Sequence, residues 1–151
     1  MAPSRSNTSK VGKKAVTSRR QWTKPEEDAL VNALKDILVS GWKADNGFKV
    51  GYLNVLQNKM MRASPNTDLR AQPHISSRMH SWKKQYNTLY TIFGGTGVGW
   101  NSTTKMIDTI NDEAWDEACM KEANARGMWY KSWSYYDSWV EIFGKDRANG
   151  T

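Results

Sequence analysis

In the stretch WTKPEEDALVNALKDILVSGW, Leu30, Leu34, Ile37 and Leu38, joined by Ala33, recur at steps of three and four. That spacing gathers them on one face of a helix. The start is signalled by Thr23 with Glu26 three residues on, a capping box in which hydroxyl and carboxylate each satisfy a backbone amide. Pro25 is harmless in a first turn, and Glu26, Glu27 and Asp28 suit the positive helix end. Gly41 supplies the stop. After a turn in KADNGFK, the apolar set Tyr52, Leu53, Leu56 and Met60 predicts a second helix from about Val50 to Arg62, broken by SPNTD. Beyond Pro73, Ile75, Met79, Trp82, Tyr86, Leu89 and Phe93 again step by three and four, predicting a third amphipathic helix that ends at a run of glycines.

The C-terminal third has shorter elements. NDEAWDEACMKEA reads as a helix with Trp115, Ala118 and Cys119 on one side, and Glu122 at the end of the same face. SYYDSWVEIFG reads as another, with Tyr135 or Tyr136, Trp139, Ile142 and Phe143 inward. Between them, RGMWYKSWS is aromatic and irregular and is expected to strap across the core. The pattern therefore predicts five helices.

The glycine run, IFGGTGVGWNSTTK, invites comparison with a phosphate-cradling loop. Such a loop follows a buried strand and places Lys directly after its last glycine, where this chain has Trp100. A helix precedes it instead, so helix termination and a tight turn account for the glycines. Other chemistry is equally thin. His74 and His80 stand six residues apart and do not share a face, Cys119 falls on an inner face as a buried thiol, and the acids of NDEAWDE suit a solvated helix start. The pattern points away from an enzyme, and no cofactor or metal is expected.

Composition sharpens this reading. The 151 residues suffice for one domain with a core, and eight Trp, six Tyr and three Phe compensate for a 38% apolar content. The single cysteine fits a reducing compartment, and no apolar run approaches the ~20 residues that cross a bilayer. The net charge of +7 is uneven. Residues 1–24 carry seven bases and no acid, whereas from Pro25 onward fifteen bases meet fifteen acids. Ten bases and three acids lie between Lys35 and Lys105, and nine acids face five bases from Met106 on. Residues 1–20 are predicted to be a disordered basic tail. Its pairs Lys13–Lys14 and Arg19–Arg20 suit nuclear import or phosphate contact, and the acid-free composition also suits an organellar transit segment. Opposite the apolar stripe of the third helix lie Ser76, Ser77, His80, Lys83, Lys84 and Asn87. Such a face can enter a DNA groove, with Lys on phosphates and Asn or His on base edges, although any exposed helix face is polar.

The order of a Trp-initiated capped helix, a second helix and a polar-faced third resembles the Myb/SANT three-helix unit. RQWTKPEEDALVNALKDIL, GWKADNGFKVGYLNVLQNKM, PHISSRMHSWKKQYNTLY, GVGWNSTTKMI, DEAWDEA and YYDSWVEIFGKDRANG are similar, in order, to blocks of the Myb/SANT-like DNA-binding domain family, which is related to the Myb-like proteins of Harbinger-type transposons. The resemblance implies an all-α fold, with a three-helix unit over 21–98 and a helical extension over 99–150, nuclear residence, and duplex DNA read by the third helix. It carries onto Ser76, Ser77, His80, Lys83, Lys84 and Asn87 only by position in that helix. Myb units keep a tryptophan in each helix. Here the second offers Tyr52 or Leu53, and the third offers Met79 and Trp82 as rivals, so the register is open by about three residues. A second functional class is a protein-interaction module that docks a transposase-like or regulatory partner through the aromatic, acidic C-terminal third.

Overall fold

A computed structural model of the chain describes residues 20–45 and 47–150, with side chains through Gly144. The predicted basic tail, including Lys13, Lys14 and Arg19, lies outside the described residues apart from Arg20.

Helix α1, Lys24–Val39, starts as its capping box requires. The Thr23 amide donates to Glu26 Oε1 at 2.9 Å, and the Glu26 amide donates to Thr23 Oγ1 at 3.3 Å. It ends on Gly41 at a φ of +83°. The Gly41 amide donates to the Leu38 carbonyl and the Trp42 amide to that of Ile37, the paired bonds of a left-handed C-terminal cap. A short hairpin comes next, β1 Lys43–Ala44 against β2 Gly47–Phe48. Phe48 stacks on Tyr52 at 4.9 Å, which holds the hairpin to the start of helix α2, Tyr52–Ala63. That helix begins two residues later than its apolar pattern suggests, because Gly51 sits at a φ of +91°.

Helix α3, Ser76–Phe93, is entered through one wide turn, Ala71–Ile75, in which the Ile75 amide reaches back to the Arg70 carbonyl at 3.0 Å. It ends where the amides of Gly94 and Gly95 close onto Thr91 and Ile92. The glycine run is thus a helix stop, and Gly97 adds a close approach: a Cβ there would meet Ile110 at 2.9 Å. The segment after Gly97 departs from an all-α fold. Strand β3, Val98–Asn101, pairs antiparallel with β4, Met106–Thr109, placing Trp100 opposite Ile107. The connecting loop is shaped by Asn101 Oδ1, which accepts from the amides of Thr103 and Thr104. Both hairpins are too short for alternation to reveal them, and each depends on a partner strand rather than on its own pattern.

Helix α4, Asp112–Lys121, is capped by Asn111 and buries Trp115 and Cys119. Burial pushes the Cys119 thiol up, as an inert buried thiol requires. After a tight turn at Ala123–Ala125 the chain straps across the molecule to helix α5, Tyr136–Gly150. The extension shares one core with the first three helices. Trp82 lies 5.8 Å from Trp139, and Tyr86 lies 5.9 Å from both Tyr136 and Phe143. Asp137, in the first turn of α5, accepts from Trp100 Nε1 at 3.0 Å and Lys105 Nζ at 2.8 Å, tying the β3–β4 hairpin to that helix.

Candidate nucleic-acid interface

Helix α3 is covered on two sides. Its apolar stripe, Ile75, Met79, Trp82, Tyr86 and Leu89, faces the shared core. On a second flank the turn Ala123–Ala125 packs against α3: Thr88 is only 4% exposed, and its hydroxyl donates to the Lys84 carbonyl at 3.1 Å. The remaining arc is open. Ser77, His80 and Lys84 are exposed, and Ser76, Lys83 and Asn87 are half-buried on the same arc. The six residues singled out from the sequence therefore share one uncovered surface, which Thr91 and Tyr90 continue toward the helix end.

That surface is sculpted into shallow open hollows. One of about 610 Å³ lies between the start of α1 and the first half of α3, lined by Gln21, Trp22, His74, Ser77, His80 and Lys84 among others. A second, of about 420 Å³, runs along His80, Lys83, Lys84, Asn87 and Thr91. A third, of about 370 Å³, joins Ser81 and Lys84 to Asn124, Arg126 and Lys131 of the extension. The sequence pattern does not single out these last three residues. Their segment reads as a strap, but nothing local shows which side of α3 it reaches.

Arg20 is held by the fold. The sequence places it in a disordered arm on phosphates, but its guanidinium is held within the domain. It donates to Glu26 at 2.5 and 2.7 Å, to Asp68 at 3.1 and 2.7 Å, and to the Gln21 carbonyl at 2.6 Å. Two carboxylates within reach satisfy it, one of them 48 residues away in sequence. Arg78 is similarly engaged, 3.2 Å from Glu27 and 4.9 Å over the Trp22 ring. His74 Nδ1 accepts from the Arg70 amide at 2.9 Å, a structural role. Among the described residues, no cluster of His, Cys, Asp or Glu could hold a metal, and no helix is long and apolar enough to cross a membrane.

The Arg20 guanidinium, and secondarily the Thr23 amide, hold the Glu26 carboxyl down to about 2 from an ordinary 4.5. A depressed folded-state value means stability that is complete above pH ~4.5 and is lost as pH falls toward 2. Charge-assisted hydrogen bonds contribute ~1.5–3 kcal/mol, and the partial exposure of Arg20 keeps this site below the ~3–5 kcal/mol of a fully buried pair. Arg20→Ala is expected to lose about 2 kcal/mol at pH 7, a fall of about 4–8 °C in Tm. The gap to wild type should narrow steadily in thermal melts between pH 4.5 and pH 2.5. A gap that does not depend on pH would remove Glu26 from the account.

The model of one family, described as the Myb/SANT-like DNA-binding domain, matches residues 21–118. The matched span takes in α1, α2, α3, the β3–β4 hairpin and most of α4. No curated protein and no solved structure matches the chain.

Proposed function

The chain belongs to the Myb/SANT-like DNA-binding domain family, which supports a DNA-binding role, and from that premise we propose that α3 is the reading element of a nuclear regulator of transcription or a transposon-derived DNA-binding protein. The observation that carries this reading is the open arc of α3, with Ser76, Ser77, His80, Lys83, Lys84 and Asn87 on it while the apolar stripe opposite is packed. A helix presented this way fits the major groove, about 12 Å wide. Lys83 and Lys84 meet phosphates and fix the register, and the Asn87 amide can pair with an adenine edge. His80 and Ser77 stand nearer the start of α3 and supply shorter-range contacts. The basic segment 1–19, with Lys13, Lys14 and Arg19, tracks phosphates outside the groove.

Selection from a randomised duplex pool, followed by binding of the enriched duplex across a salt series, tests this. Wild type is expected to enrich a motif. Lys83→Ala/Lys84→Ala should shallow the slope of log K against log salt by about 1.8, since each phosphate contact contributes about 0.9. Absence of binding at low salt would sink the reading and leave partner docking through the extension as the alternative.

A further inference from the structure

The strap after α4 turns its bases toward α3. Ala125 is fully buried and Met128 is 6% exposed, so the segment is pinned at two points while Arg126 and Lys131 stay outside. Its path is held by backbone bonds. The Arg126 amide donates to Ala123, Met128 to Ala125 and Lys131 to Met128, and Gly127 allows the reversal at a φ of +83°. Farther on, Trp133 Nε1 donates to the Met128 carbonyl at 3.1 Å, and the Trp133 amide donates to that of Lys105 at 2.7 Å. Two bases on a segment fixed this firmly are held in place rather than carried on a loose loop.

Their position matters more than their number. Arg126 and Lys131 line the hollow shared with Ser81 and Lys84 of α3. Ser81 and Lys84 also line the hollow at the start of α1, where the basic segment 1–19 joins the described chain. The junction and the strap therefore stand along one flank of α3. Among the described residues, neither Arg126 nor Lys131 forms an ion pair. The acid bordering this ridge is Glu122, whose carboxylate accepts from the Asn124 amide at 3.1 Å.

We propose that Arg126 and Lys131 form a second phosphate-binding wall beside α3, so that the extension completes the DNA interface. The inference rests on the α3 reading above and deepens it. A helix seated in a major groove has a phosphate backbone along each flank, and cations fixed on one flank set how the helix sits in the groove. The extension is acidic overall, yet the two bases of its strap are segregated onto the side that faces α3.

The test is binding of a mixed-sequence duplex by the full chain, followed by fluorescence anisotropy between ~50 and ~200 mM salt. For Arg126→Ala/Lys131→Ala, the salt slope should shallow by about 1.8 and affinity at ~100 mM should fall on the order of tenfold or more. Arg126→Lys/Lys131→Arg should restore both, because the charges return. Lys35→Ala/Lys59→Ala removes the same net charge from positions that line none of the hollows along α3, and should leave the slope unchanged. An unaltered slope in the strap variant, or an equal change in the Lys35/Lys59 control, overturns the proposal while wild-type binding preserves the α3 reading. Failure of wild type to bind at all overturns that reading itself.

Discussion

Deleting residues 1–19 while keeping Arg20 is expected to weaken duplex binding on the order of a thousandfold at ~100 mM salt, with the salt slope shallower by up to about 4.5. The deleted stretch holds Arg5, Lys10, Lys13, Lys14 and Arg19. If all five meet phosphates, each releases about 0.9 of a counterion on binding, which sets the upper limit of the change in slope. Keeping Arg20 is essential to the design. Its guanidinium bridges Glu26 and Asp68, so a deletion running through it would remove part of the fold together with the charge. The readout is a titration of duplex DNA at several salt concentrations, alongside a melt showing that the shortened chain unfolds at the wild-type temperature. A slope that stays the same in the shortened chain would remove the basic segment from the interface. The alternative role, docking a protein through the extension, predicts no loss from this deletion.

Tyr86→Ala is expected to cost about 4 kcal/mol, the middle of the ~3–5 kcal/mol range for emptying a large aromatic site in a core. Tyr86 is 1% exposed and lies where α3 meets α5, within ring contact of Tyr136 and Phe143. Domains have only ~5–15 kcal/mol of stability in all, so the variant should be marginal near body temperature. The melting temperature should fall by roughly 8–16 °C, at ~2–4 °C per kcal/mol. The shape of the transition carries further information. Because α5 and the first three helices share one core, unfolding should remain a single step when followed by both tryptophan fluorescence and far-ultraviolet dichroism. Two separated transitions would mean that the extension folds independently. A loss under ~1 kcal/mol would mean that the site collapses around the missing ring.

The features legible in the sequence are those that act within a turn or two of helix. Thr23 and Glu26 are three residues apart, so their capping box is legible, and both of its hydrogen bonds form. Gly41 announces the left-handed cap of α1, and the steps of three and four in Ile75, Met79, Trp82, Tyr86 and Leu89 mark the buried stripe of α3. Helical periodicity also separates the open arc, since a residue's angular position on a helix comes from its number alone. Whether that arc stays open is decided elsewhere. Thr88 is polar and lies away from the apolar stripe, yet it is buried on a helix against which a turn more than thirty residues later packs. The same packing brings Arg126 and Lys131 beside Lys84. Arg20 shows the reverse case. A basic neighbourhood suggests a free cation, and only the fold brings Asp68 to it from 48 residues away. Both short hairpins depend likewise on a partner strand supplying the hydrogen bonds that neither half can make. Caps and periodicity are local because backbone geometry couples near neighbours. Coverage, ion pairing and strand pairing arise from distant segments competing for the same surfaces, and the tertiary structure alone resolves that competition.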